Sequence, residues 1–266
     1  MLARITRPLA PALFIGTVVA SPPGVPAQEG PATADSASLA LEAEMVRALG
    51  GREAWQRARM FVFTWAPRVD GQERGVRRHV WDRWTGRYRL ELTTREGQSL
   101  VALFNGNTRE GRVWLDGEEI ADDSVRAAWL DRVHAIYIND TYWLVMPFKW
   151  RDPGVHLAYH GRQTVEGREW EVVQLTFEEV GRTPRNKYYA YIDPATHRME
   201  MWDHYRDRED PEPLLRTRWT DWGQFGPITL ASSKPYVDRD VGIYFRDIAV
   251  YTEVDETLFA EPGGEN

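Results

Sequence analysis

From Phe61 onward the hydropathy of this chain runs with a period of two, and that limits the fold more than any other feature. Phe61, Phe63 and Trp65 share one side of an extended segment, and Tyr88, Leu90 and Leu92 alternate with Arg87, Arg89 and Glu91. Successive side chains of a strand point to opposite faces, so such segments pair an apolar face with a polar one. Arg89 is therefore expected to point to solvent. Further strands are predicted near Val76–Trp84, Gln98–Phe104, Arg112–Leu115, Val155–Gln163, Glu169–Glu178, Lys187–Ile192, Arg198–Tyr205, Leu214–Trp222, Ile228–Pro235 and Ile243–Tyr251. Most gaps carry Gly, Pro, Asn or Asp, which reach turn geometries cheaply, and connections this short join antiparallel neighbours. A mostly antiparallel, half-buried sheet follows.

Helical spacing appears twice. Leu41, Met45, Ala48 and Leu49 line one face of a helix stopped by Gly50-Gly51, and a short turn of helix is expected from Glu53 to Arg57. Midway along the chain, Val125, Trp129, Val133 and Ile136/Tyr137 form a stripe whose N-cap is Asp123 or Ser124. Asn139-Asp140-Thr141 reads as the cap of a second short helix, Tyr142 to Met146, ended by Pro147. Two helices inserted into a meander suggest a lid over one face of a curved sheet.

Arg4 and Arg7, an apolar run from Leu9 to Ala20 and a small-residue exit at Val25-Pro26-Ala27 form a secretory signal peptide over residues 1–27. It implies a mature protein that is periplasmic or secreted. The run is too short, and too broken by Pro8 and Pro11, to span a bilayer, which takes about 20 apolar residues. Residues Gln28 to Ala37 carry Pro, Gly, Ala and Ser without apolar period and read as a disordered lead-in. The remainder fits one β-rich domain over 38–261 and a flexible tail over 262–266.

Composition narrows the function. A formal charge of −7, more negative once Arg4 and Arg7 are removed, argues against nucleic acid and anionic lipid surfaces as partners. With no cysteine, the chain has no disulfide, no thiol chemistry and no cysteine-linked lipid anchor. Twelve Trp, eleven Tyr and nine Phe supply ample apolar area and leave a surplus that could line a cavity. Seven of the indoles, Trp65, Trp81, Trp84, Trp114, Trp129, Trp143 and Trp150, fall in the sheet-and-lid half.

Signatures of catalysis are lacking. The sequence holds no Gly-x-Ser-x-Gly elbow, no His-Glu-x-x-His helix and no phosphate loop. His156 and His160 would share one strand face across an awkward span for a metal, and Asp203 and His204 would point to opposite faces near His197. Glu178-Glu179 and the Asp207-Arg208-Glu209-Asp210 run read as loop charge rather than paired catalytic carboxylates. No cofactor or metal is expected.

Three segments carry a resemblance to a known family. Gly50-Gly51-Arg52-Glu53-Ala54-Trp55, the stretch from Tyr142 to Val155, and Tyr191-Ile192-Asp193-Pro194-Ala195-Thr196-His197-Arg198-Met199 resemble the LolA/LolB-like periplasmic lipoprotein carriers. They also resemble a group of secreted bacterial proteins placed near that fold. The resemblance implies a single-domain antiparallel half-barrel whose concave face is covered by helices. It further implies a monomeric, non-enzymatic carrier of an acyl or lipid-like group, with an apolar small molecule or lipidated partner. Phe63, Trp65, Tyr88, Leu90, Leu92, Trp129, Trp143 and Met146 are the residues then expected to line the ligand site. The alternatives are a secreted carbohydrate-active protein with an exposed aromatic platform, and a structural envelope module.

Overall fold

A computed structural model describes residues 33–178 and 185–263. The signal peptide, the lead-in up to residue 32, Glu179 and residues 264–266 lie outside the described residues. In chain order the elements are β1 (Thr33–Ala34), α1 (Ser36–Ala48), α2 (Arg52–Arg57), β2 (Met60–Val69), β3 (Gln72–Glu73), β4 (Arg77–Asp82), β5 (Arg87–Thr93), β6 (Ser99–Asn105), β7 (Gly111–Leu115) and β8 (Glu118–Glu119). Helix α3 (Asp123–Val145) and a 3-10 turn (Met146–Phe148) precede β9 (Val155–Val165), β10 (Arg168–Phe177), β11 (Lys187–Ile192), β12 (Met199–Tyr205), β13 (Leu215–Arg218), β14 (Thr220–Phe225), β15 (Ile228–Pro235) and β16 (Val241–Tyr251). A second 3-10 turn, Glu256–Phe259, closes the described chain.

The strands form two open sheets. Six run in the order β1-β9-β10-β11-β12-β13, and the larger sheet runs β14-β15-β16-β2-β4-β5-β6-β7-β8, with β3 paired to β2. Every pair is antiparallel except β1 with β9. The segment expected as one strand from Leu214 to Trp222 is instead two, broken at Trp219. There the chain leaves one sheet for the other, because the Trp219 N–H bonds the Glu200 carbonyl of β12 while Thr220 already pairs with Ser233 of β15. An isolated bridge between Thr217 and Tyr236 seals the seam.

Residues 33–37 belong to the fold rather than to the lead-in. Thr33 and Ala34 pair with His156 and Leu157, and Asp35 caps α1 by accepting the Ser38 N–H. Side-chain capping and edge pairing are worth more here than the composition of the segment suggests. Glu42, fully buried on α1, is held by Arg52 and by Arg151, whose Nε lies 2.9 Å away.

The two short helices expected between residues 123 and 146 are one, α3. Asp122 provides its N-cap, with Oδ1 accepting the Ser124 and Val125 N–H groups. Asn139-Asp140-Thr141 sits inside the helix instead of capping a second one. Its polar atoms find other partners: Thr141 Oγ1 donates to the Tyr137 carbonyl, Asn139 to Asp140, and Asp140 meets Arg77 and His79. With those groups engaged, nothing favours a break before Pro147, which enters the 3-10 turn.

Helix α3 changes character along its length. From Asp123 to Arg132 it is largely exposed, whereas from Tyr137 to Val145 it is buried all round, the mark of a core helix. Tyr137 packs edge-on against Trp81 and Tyr88 of the larger sheet, and Tyr142 and Trp143 pack on Trp202 of the smaller one. The helix is thus more than a lid: both sheets close on its C-terminal half, and all three share one hydrophobic core.

Candidate functional site

The site is built by cross-strand register on the concave face of the larger sheet. Trp65 pairs with Phe245 on one side and Arg77 on the other, and Arg77 pairs with Leu92. One row along, Phe63 opposes His79 and His79 opposes Leu90. Across β2, β4 and β5 the face is apolar and aromatic apart from Arg77 and His79 of β4 and the Tyr88 hydroxyl. Both β4 side chains meet α3.

Asp140, with no exposed surface, lies opposite them. Its Oδ2 is 3.0 Å from Arg77 Nε and 3.2 Å from His79 Nε2, and Arg77 also donates to Oδ1 at 3.4 Å. Neither short contact to Oδ2 is aligned for a hydrogen bond; Arg77 holds Oδ2 as an ion pair, and His79 Nε2 lies beside it. His79 stacks on Phe63 at 4.4 Å and shares a 2.7 Å hydrogen bond between Nδ1 and the Tyr88 hydroxyl. Burial pushes the His79 imidazole down, against the pull of Asp140, and raises the Tyr88 phenol well above its usual value. At neutral pH the His79 imidazole and the Tyr88 phenol are therefore neutral, beside the Arg77–Asp140 pair. All four except the edge of Arg77 are out of water, so they order α3 against β4 and β5.

The residues expected to line a ligand site come together. Phe63, Trp65, Tyr88, Leu90, Trp143 and Met146 are buried in the shared core, and Leu92 and Trp129 are partly buried against it. Trp129 sits on the outer half of α3 with the Arg132 guanidinium 4.9 Å from its ring centroid. The other indoles of the sheet-and-lid half, Trp81, Trp114 and Trp150, are buried too, while Trp84 is 55% exposed. Sequence reasoning misses Arg77 and His79 and reads Asp140 only as a cap; two polar residues at alternate positions of a strand otherwise facing inward are the available signal.

The histidines and carboxylates weighed for chemistry disperse. His156 meets Thr33 and Glu178, His160 meets Gln174, His197 meets Glu44, and Asp207 meets Arg185. Asp203 turns to Arg216 and Tyr191 on one face, and His204 turns into the core beside Tyr188 on the other. Among the described residues no group of three or more such side chains could hold a metal ion. Two open surface grooves, of about 350 and 620 Å³, lie away from the concave face, beside the 251–258 segment and beside His156 on β9.

Comparison with solved structures finds similar chains. A LolA superfamily protein from Nitrosomonas europaea matches at a TM-score of 0.49 and 10% identity, over 84% of this chain and 97% of its own. A DUF1329 family protein from Desulfovibrio piger matches at 0.46 and 10%, over 84% and 97%. A putative outer membrane lipoprotein-sorting protein domain from Vibrio parahaemolyticus matches at 0.46 and 9%, over 84% and 96%. No family model and no curated protein matches the sequence. Among the described residues no helix is long and apolar enough to cross a membrane.

Proposed function

We propose that this protein binds an acyl or lipid-like ligand, without catalysis, between its curved sheets and helix α3. Phe63, Trp65, Tyr88, Leu90, Leu92, Trp129, Trp143 and Met146 would contact it. The signal-like residues 1–27 support a periplasmic or secreted setting, with cleavage near Ala27; the working unit in this reading is a monomer. One observation carries the reading: helix α3 lies between the aromatic inner faces of the two sheets, with Tyr137 on Trp81 and Tyr88 of one and Trp143 on Trp202 of the other. That helix is tied to β4 through a buried ion pair, a type of contact that adds little net stability beside an apolar alternative.

In this structure the buried half of α3 and its aromatic contacts fill the space, so ligand entry requires α3 to shift. The driving force is available, since apolar surface leaving water contributes about 25 cal/mol per Å². The carbohydrate alternative finds less support, because Trp65, Trp81, Trp114, Trp143 and Trp150 of the indole set lie inside.

Native mass spectrometry of protein purified from its own cell envelope tests the reading, together with titration of a fluorescent fatty-acid probe. A retained lipid, or probe binding weakened by joint replacement of Trp129 and Trp143 with Leu, is the expected result. A retained sugar, or bare protein that binds no probe, would overturn it.

A further inference from the structure

At the seam where the chain crosses between sheets, six buried polar side chains cluster on the inner face. Trp202 of β12 pairs with Thr217 of β13, Thr217 bridges to Tyr236, and Lys234 lies two residues before Tyr236 on the same side of the chain. Trp219 stands at the crossing itself. Its ring lies 4.5 Å from Lys234 Nζ and 5.9 Å, edge-on, from Trp202. On the far side Lys234 Nζ is 4.3 Å from the Phe245 ring, which meets Trp65 edge-on at 5.4 Å. Trp65, Trp202, Thr217, Trp219 and Lys234 are at most 1% exposed, and Tyr236 is 7% exposed.

The polar atoms of this cluster lack partners. Trp65 Nε1, Trp202 Nε1, Thr217 Oγ1, Trp219 Nε1 and the Tyr236 hydroxyl make no hydrogen bond. Lys234 Nζ donates to the Ala231 carbonyl, which leaves two of the three ammonium hydrogens unmatched, and no carboxylate among the described residues pairs with it. Aromatic faces attract the ammonium but accept no conventional hydrogen bond from it. Native interiors leave only a few such groups unsatisfied, so five on one patch beside a buried lysine call for a specific explanation.

The chemistry of the set is one-sided. Indole N–H groups and an ammonium only donate, and the two hydroxyls can donate as well. What completes them is an acceptor-only group of negative charge, small enough to sit among three indole edges. We propose that the seam receives the anionic head of an acyl-chain ligand, a carboxylate or a phosphate monoester, with the chain running along the concave face toward Phe63. This deepens, and rests on, the proposed ligand-binding function. Burial disfavours the Lys234 ammonium, and an anion beside it would favour the charged form.

The test is calorimetric titration of the full mature protein with dodecanoate, dodecyl phosphate and dodecanol, which share a chain and differ in the head. Dodecanoate or the phosphate, whichever fits, should bind at least tenfold more tightly than the alcohol, and comparison of the two names the head. Lys234→Met should erase that preference, with the melting temperature unchanged or raised. Trp219→Phe, which removes one N–H and keeps the ring, should weaken the anion several-fold on a fold intact by circular dichroism, and it serves should the lysine variant fail to fold. Equal binding of acid, phosphate and alcohol, or a preference that survives both variants, overturns the head-group site alone. Failure of all three probes to bind overturns the ligand-binding reading and this inference with it.

Discussion

The Arg77 guanidinium meets the Asp140 carboxylate at 3.0 Å, tying strand β4 to the buried C-terminal half of helix α3. Asp140 is fully buried, and His79 beside it is held neutral by burial, so Arg77 is the cation that balances it. Arg77→Leu should therefore cost about 3–5 kcal/mol in urea unfolding, because it strands a charge in the core. Replacing both residues by Leu should recover most of that loss. If the single and double variants are equally destabilised, the pair is not what orders α3 on the sheet.

Leu90 and Arg89 test the orientation of β5. Leu90 is fully buried on the concave face, and Leu90→Ala should lose about 2–5 kcal/mol. Leu90→Asp should be worse, since the carboxyl would have no partner. Alternation alone makes Arg89 a solvent-facing residue, yet its side chain is 15% exposed, pairs with Glu91 and donates to the Ala260 carbonyl of the C-terminal segment. Arg89→Ser should accordingly cost about 1 kcal/mol rather than nothing, through the lost hydrogen bond. Denaturant melts of the three variants decide it, and an Arg89→Ser variant matching Leu90→Asp would refute this strand orientation.

Gly106 marks where α3 docks on the β6–β7 turn. A Cβ there would fall 2.4 Å from the Tyr137 ring, and the Gly106 carbonyl lies 3.0 Å from His134 Nε2. Gly106→Ala should force Tyr137 out of its contact with Tyr88 and cost about 1–3 kcal/mol, the usual penalty for overpacking. Gly106→Ala with Tyr137→Leu should relieve part of it. A single variant as stable as the parent would show that the helix yields freely at this point.

Acid sensitivity should begin above the carboxylate range. Burial lowers the imidazoles of His79 and His204, the latter to about 4. Unfolded histidine takes up its proton near pH 6.5, so below that value the unfolded chain binds more protons than the native one. The contribution is complete above pH 6.5 and is lost as pH falls toward 4, at up to about 1.4 kcal/mol per pH unit for each residue. Carboxylates held low in the native state, such as Asp35 beneath the Ser38 N–H, act only below about pH 4. Urea midpoints at pH 7.5 and pH 5 should differ, and His204→Phe should narrow the gap. An unchanged gap would mean that His204 is protonated in the native protein.

What the sequence determined by itself is the local layer of this protein. Period-two alternation at Phe61, Phe63 and Trp65, or at Tyr88 and Leu90, marks which side of a strand faces inward, because strand geometry is fixed by neighbouring residues alone. Turn residues and helical spacing likewise set most element positions; Lys187–Ile192 and Ile228–Pro235 are found where they were expected. Only the tertiary structure decided the rest. Asn139 and Asp140 look like caps until Arg77 and His79, some sixty residues earlier, come within reach and let the helix run through them. Trp219 ends one strand because two sheets compete for its neighbours, and Arg89 is covered because the chain returns to it at Ala260. Lys234 carries no signal of burial in its own segment. Its surroundings come from β2, β16 and the β13–β14 seam, and partners that distant in sequence are set by how the sheets close around α3.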